Sequence, residues 1–249
     1  MDFQHVTLAA LFFLVAALYS SVGHAGASGY LAAMALLGFA PEQMRPTALA
    51  LNILVGGIGL FRFHKAGLVP WLKVLPFVLA SIPAAYLAAQ WKVPRETYSM
   101  LLGGLLAAAA VGAWHSGDKI AQNGESLASK PIPWPAALFT GALIGCLSGI
   151  TGTGGAIFLT PLLLAMAWAH TREASGLSVA FVWLNSLAAT PGLMRSNQTF
   201  PDALPLWLVA VALGALIGTQ LGIHKWPAHR LRKGLAVVLV IAAGKLLFS

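Results

Sequence analysis

The sequence predicts an all-α polytopic membrane protein made of two inverted repeats, each a re-entrant broken-helix hairpin plus three transmembrane helices. Three observations carry that expectation. Only 9% of the 249 residues are charged while 58% are hydrophobic, and the mean hydropathy is +0.80, so there are too few polar groups to clothe a water-facing surface. Ten apolar segments fall into two sets of five around one extended polar stretch. Each set opens with an apolar run that a glycine-rich stretch interrupts, SSVGHAGASGY at 20–30 and LSGITGTGGAIF at 147–158. A soluble globular protein is excluded, and at about 20 residues per helical crossing the length leaves no sizeable soluble domain.

The segments follow in order. Residues 6–22 imitate a signal peptide, but the residues before them carry Asp2 and no Lys or Arg, so the run is read as a mature helix. After the first break come a short apolar piece at 28–39 and three longer ones at 47–61, 71–89 and 98–114. The polar run HSGDKIAQNGESLASK at 115–130 reads as a flexible linker. The second set repeats the order at 135–147, 156–168, 175–193, 203–222 and 234–248. Gly23 and Gly26 align with Gly152 and Gly155 without a gap, and Val93-Pro94 aligns with Trp226-Pro227. Duplication explains this economically: a first repeat at 1–114, a cytoplasmic linker at 115–134 and a second repeat at 135–249.

Charge sets the expected orientation. The 15 Lys and Arg against 7 Asp and Glu do not signal nucleic acid, because they stand in ones and twos at the ends of apolar runs. With three crossings per half, Arg62, Lys65, Lys73, Lys119, Lys130, Arg172, Lys225, Arg230, Arg232 and Lys233 share one side against Arg45, Lys92, Arg95, Arg195 and Lys245. That is ten against five, whereas parallel halves give eight against seven, no bias at all. The halves are therefore expected to be inverted, with the 225–233 loop cytoplasmic and the N-terminus outside. Trp71 and Trp91 bracket one span as interface anchors, with Trp114, Trp134 and Trp226 at other interfaces. Gly214, Gly218 and Gly222 form a small-residue stripe suited to close helix packing. The lone Cys146 excludes an intrachain disulfide and a cysteine-clustered metal site, and reads as a buried, inert thiol.

Function is expected at the two breaks. Non-helical backbone at membrane depth leaves amide and carbonyl groups that only protein or a water-filled cavity can satisfy. The helices that restart after each break present positive dipole ends near Ser28 to Tyr30 and Gly154 to Ala156, and an anion is the natural guest. Gly23, Gly26, Gly29, Gly152, Gly154 and Gly155 allow close backbone approach, and Ser28, Thr151 and Thr153 add hydroxyl donors. Asn52 and Asn185 lie at nearly equivalent depth in the next long helix of each half, as pore lining or as interhelical glue; Trp183 is expected either to wall the site or to pack. His24 is the ionisable side chain placed at the site, pairing with an anion or carrying a coupled proton. No Asp or Glu falls centrally in an apolar segment, which argues against carboxylate proton relays.

At these residues the chain resembles the TauE/SafE family of sulfite and organosulfonate exporters. The stretches GHAGASGY, GITGTGGAIFLTPLLL and REASGLSVAFVWLNSLAATPG carry the resemblance, with Gly152, Gly154, Gly155 and Pro161 matching the family's glycine-rich stretch and later proline. It implies a permease of the bacterial inner membrane that moves sulfite, sulfonates or related sulfur anions outward. It implies no cofactor and no enzymatic activity, and leaves open a coupling proton or ion and a homodimer. Alternating access would rock or gate one half against the other around a central anion site. The alternative is an intramembrane serine protease, since Gly26-Ala27-Ser28-Gly29 is the GASG around a rhomboid nucleophile and His224 lies in a late helix as a base might.

Overall fold

The computed structural model describes residues 3–21, 23–122, 129–195, 199–223 and 239–247, the side chains of 112–122 and 222–223 excepted. Within them the chain is helical, with α1 (Phe3–Ser20), α2 (Ala27–Leu36), α3 (Pro41–Lys65), α4 (Trp71–Ala89), α5 (Arg95–Gln122), α6 (Trp134–Thr151), α7 (Ala156–Ala165), α8 (Thr171–Met194), α9 (Leu204–Ile223) and a last stretch, α10 (239–247). Six of these, α1, α3, α4, α6, α8 and α9, are long and apolar enough to cross a membrane. Each of the ten apolar segments contains helix among its described residues. The linker expectation is corrected: residues 115–122 continue α5, because an established helix propagates at little cost through residues such as Lys119, Ile120 and Ala121. Residues 123–128 of the linker, His224, Trp226 and the 225–233 loop lie outside the described residues.

Local chemistry fixes the helix ends. Pro41 and Pro135 stand in the first turns of α3 and α6, where the missing N–H is no loss. Helices α2 and α3 stop in Schellman turns on Gly38 and Gly67, both at positive φ, with Phe39 N bonded to Met34 O and Leu68 N to Phe63 O. The same turn ends α7, where Trp168 N reaches Leu163 O, but there Ala167 holds the left-handed position, with φ of 54°.

Helices α1 and α2 fold into an antiparallel hairpin: Gln4 Nε2 donates to Leu37 O, Phe12 packs edge-on against Tyr30, and Tyr19 bonds Ser28. Helices α6 and α7 do the same, with Lys130 N bonded to Ala167 O at the open end and Gly155 against Ile144 near the turn. Each hairpin's first helix lies on a helix of the other half, α1 on α9 and α6 on α4. Both pairs run parallel. Gly214 and Gly218 meet the carbonyls of Phe13 and Ala17, while Gly141, Gly145 and Gly149 meet those of Phe77, Ser81 and Ala85, so closely that any Cβ would collide with them. The expected stripe is thus a packing device at Gly214 and Gly218; Gly222 has no described side-chain surroundings, and the Gly141–Gly145–Gly149 stripe was not anticipated.

Between these pairs α3 and α8 cross antiparallel, Asn52 opposite Ser186, Gly56 opposite Trp183 and Gly59 opposite Val179. Trp183 packs on Gly56 and Gly57. At one rim Lys73 of α4 and Glu173 of α8 form a 2.8 Å ion pair, and Arg62 of α3 donates to Leu216 O and Thr219 Oγ1 of α9. Trp71, Trp91 and Trp134 are exposed, as anchors should be. Cys146 is half-buried, less enclosed than expected.

Candidate functional site: two helix breaks

The second break turns on three glycines. Gly152 caps α6 at φ 78°, and Gly154 and Gly155 follow at 74° and 83°, conformations that side chains resist. Gly155 is the N-cap of α7. The five amides of Thr153, Gly154, Gly155, Ala156 and Ile157 have no acceptor among the described residues, which leaves a run of unpartnered N–H groups at the positive end of α7.

Three carbonyls of the same segment are occupied by donors from the first half. Arg45 Nη2 of α3 bonds Gly149 O at 3.1 Å, Tyr98 of α5 donates to Thr151 O at 3.1 Å, and Asn52 Nδ2 of α3 reaches Thr153 O at a long 3.5 Å. Part of the negative side of the backbone is thus covered, while the five successive amides are left without partners. Thr151 donates to Leu147 O and pairs with Thr153 at 3.0 Å, and Asn52 Nδ2 also contacts Ser186 Oγ at 3.4 Å. Asn52 is fully buried, and its Oδ1 has no partner. Thus Asn52, Thr151, Gly152, Thr153, Gly154 and Gly155 come together as the sequence suggested.

The first break has the same backbone and different chemistry. Gly23 and Gly26 are at φ 78° and 105°, Gly26 being the N-cap of α2. The amides of Ala27, Ser28 and Gly29 lack an acceptor among the described residues, but Tyr30 N is bonded to Gly26 O, so the expected free amide at Tyr30 is corrected. Ser28 shares a 2.7 Å hydrogen bond with Tyr19, and Tyr30 donates to Ala25 O. Gly29 lies against Val15 and Tyr19. His24 is half-buried and reaches across to the other hairpin, Nε2 to Thr160 Oγ1 at 3.2 Å, with Thr160 bonded on to Ser178 at 2.6 Å.

The breaks are not one site in this conformation. Gly152 rests on Arg45 at the start of α3 and Gly23 on Ser175 at the start of α8; in an antiparallel pair these are opposite ends. Asn185 stands apart from Asn52: its Nδ2 turns back to Phe181 O at 2.9 Å and its buried Oδ1 has no partner. Arg45 corrects the charge tally, for it is 4% exposed and not a surface topology signal. Arg45, Tyr98, Ser186, Thr160 and Ser178 were missed. The PEQMRPT run before an apolar helix hid Arg45 as an end-of-helix charge, and nothing in the sequence marked the rest.

The protease alternative is unsupported: the Ser28 hydroxyl is bonded to Tyr19, and His224 lies outside the described residues.

Broken-helix hairpins, six apolar helices and polar groups gathered on the breaks define a multi-pass membrane protein of transporter type. The chain matches the family described as Sulfite exporter TauE/SafE over residues 8–246. It is 40% identical, over 248 residues and the full length of both chains, to a "Probable membrane transporter protein y4hK" of Sinorhizobium fredii. The chain belongs to the TauE/SafE family of membrane transporters, not to an enzyme family. With a bacterial relative and six apolar spans, its place is the bacterial inner membrane. No solved structure matches it.

Proposed function

We propose that the protein is a secondary transporter that exports small sulfur-containing anions, sulfite or organosulfonates, by alternating access. One observation carries the reading: at the second break the carbonyls of Gly149, Thr151 and Thr153 are taken by Arg45, Tyr98 and Asn52 while five successive amides from Thr153 to Ile157 have no acceptor. Such a run of amides attracts an oxyanion. Asn52, Thr153 and Ser186 orient the guest, and Gly23, His24, Gly26, Ser28 and Gly29 form the second station on its path, with Asn185 lining the route. A membrane family that carries sulfite in its name supports the substrate class.

Two inverted repeats, 1–114 and 135–249, underlie this mechanism. The antiparallel crossing of α3 and α8 supports inversion, and the shared left-handed pairs Gly23/Gly152 and Gly26/Gly155 support duplication. Single cysteines near Arg62 and Arg230 are expected to label from the cytoplasm and one near Arg95 from outside; labelling of Arg95 and Arg230 from one side would overturn inversion.

Flux in proteoliposomes tests the function, across sulfite, organosulfonates, thiosulfate, sulfate and carboxylates, with and without a pH gradient. Transport of sulfite or a sulfonate is expected, and a response to the gradient would identify a coupled proton. Transport confined to carboxylates would overturn the substrate class, and no anion transport would overturn the reading itself.

A further inference from the structure

We infer that Arg45 is a specificity-determining residue, the fixed charge that makes the second break favour anions of higher valence. The inference rests on the anion reading above. Helix α6 ends at Thr151, so its negative dipole end points into the break that α7's positive end also faces. Unopposed, an anion lying against α7 would meet that negative end. Arg45 removes the conflict: its Nη2 bonds both Gly149 O of α6 and Ala89 O of α4 at 3.1 Å, and Nη1 reaches Trp91 O at 3.5 Å.

The guanidinium thus sits on the carboxyl ends of two helices at once. Its hydrogen bonds go to carbonyl oxygens, the Glu42 carboxylate one turn earlier acts on it only through space, and its buried Nε has no hydrogen-bond partner. A guanidinium is permanently charged, and at 4% exposure solvent ions screen it little. Its backbone lies directly against Gly152, 3.2 to 3.3 Å from where a Cβ would stand. Among the described residues the first break has no buried guanidinium in this position, because Ser175 occupies the place against Gly23 that Arg45 occupies against Gly152. The two breaks therefore differ in charge although they agree in backbone. Coulomb energy scales with the charge of the guest, so Arg45 acts twice as strongly on a dianion as on a monoanion.

Binding of isethionate, a monoanion, and sulfoacetate, a dianion on the same two-carbon frame, to the purified full-length protein tests this. Arg45→Gln is expected to weaken isethionate by about fivefold and sulfoacetate by about the square of that factor, roughly 25-fold, because the logarithm of the loss doubles with charge. Arg45→Lys keeps the charge and is expected to retain most of the affinity for both. An equal loss for both probes in Arg45→Gln would show a merely structural residue and overturn the inference. Should Arg45→Gln fail to fold, Arg45→Lys decides: retained affinity supports the role of charge, and an equal collapse for both probes overturns it. A wild-type protein that binds neither probe overturns the anion reading itself, and this inference with it.

Discussion

Replacing Gly154 by alanine adds a single methyl group and meets two separate obstacles. The backbone there is left-handed, at φ +74°, which costs a residue with a Cβ roughly 1–2 kcal/mol. The new methyl would also collide with Val182 Cγ2 of α8 and stand 2.7 Å from Asn52 Nδ2 and 3.2 Å from Ser186 Oγ. Three helices converge there, and overpacking of that kind costs about 1–3 kcal/mol. Together the terms destabilise the protein by roughly 2–5 kcal/mol, a fall of about 5–15 °C in Tm for a chain of this size. The terms separate in a double-mutant cycle with Val182→Ala, which removes the colliding methyl and leaves the dihedral cost. The coupling is expected to be about 1–3 kcal/mol, the steric share alone. Thermal unfolding of the purified protein, followed by tryptophan fluorescence, measures all four corners. A Gly154→Ala protein that melts within about 2 °C of wild type, or a strictly additive double variant, would refute the argument.

Three further outcomes are expected. Ala167→Gly relieves the left-handed alanine that ends α7, and is expected to raise stability by about 0.5–1 kcal/mol; a lower Tm in the same unfolding assay would count against it. Tyr98→Phe leaves Thr151 O buried without its donor at a cost of about 1–3 kcal/mol, and by uncovering a carbonyl at the break weakens anion binding about tenfold; calorimetric titration giving unchanged affinity in the folded variant would contradict the electrostatic reading. For His24, an anion favours the charged ring over the neutral one, so binding is expected to weaken as pH rises. His24 faces the ring of Tyr19 and the hydroxyl of Thr160, so His24→Gln keeps a hydrogen bond, loses the charge and is expected to flatten the profile between about pH 5.5 and 8.5; an unchanged profile would remove the coupling role.

What the sequence disclosed depended on range. Breaks such as GITGTGG announce themselves because glycine runs inside apolar helices have a local cause, and Gly26 and Gly155 indeed start the two short helices at matching dihedrals. Arg45 could not be read the same way. Its meaning depends on Ala89 and Gly149, 44 and 104 residues away, and a lone arginine beside a proline looks like any charge at the edge of a span. Tyr98 was hidden for the same reason, its partner Thr151 being 53 residues distant. The glycines at 141, 145 and 149 were in plain view at spacing four, yet what they serve, carbonyls of α4 passing close by, exists only in the folded pair. The expectation of one central site failed because tip positions follow from how α3 and α8 register, which periodicity does not encode.

The two glycine seams also decide which parts can travel together. Both stripes belong to the second half, on α6 and α9, and both press on backbone of the first, on α4 and α1. Contacts this close, backbone against backbone without intervening side chains, admit weak Cα–H···O bonds along their length and leave no slack for parting. A swing of residues 1–114 against 135–249 would have to tear open both seams. The seams tie the first hairpin to α9 and the second to α4, so each binds pieces of both halves into one unit, and Gly192 of α8, against Tyr86 O of α4, adds α8 to the second.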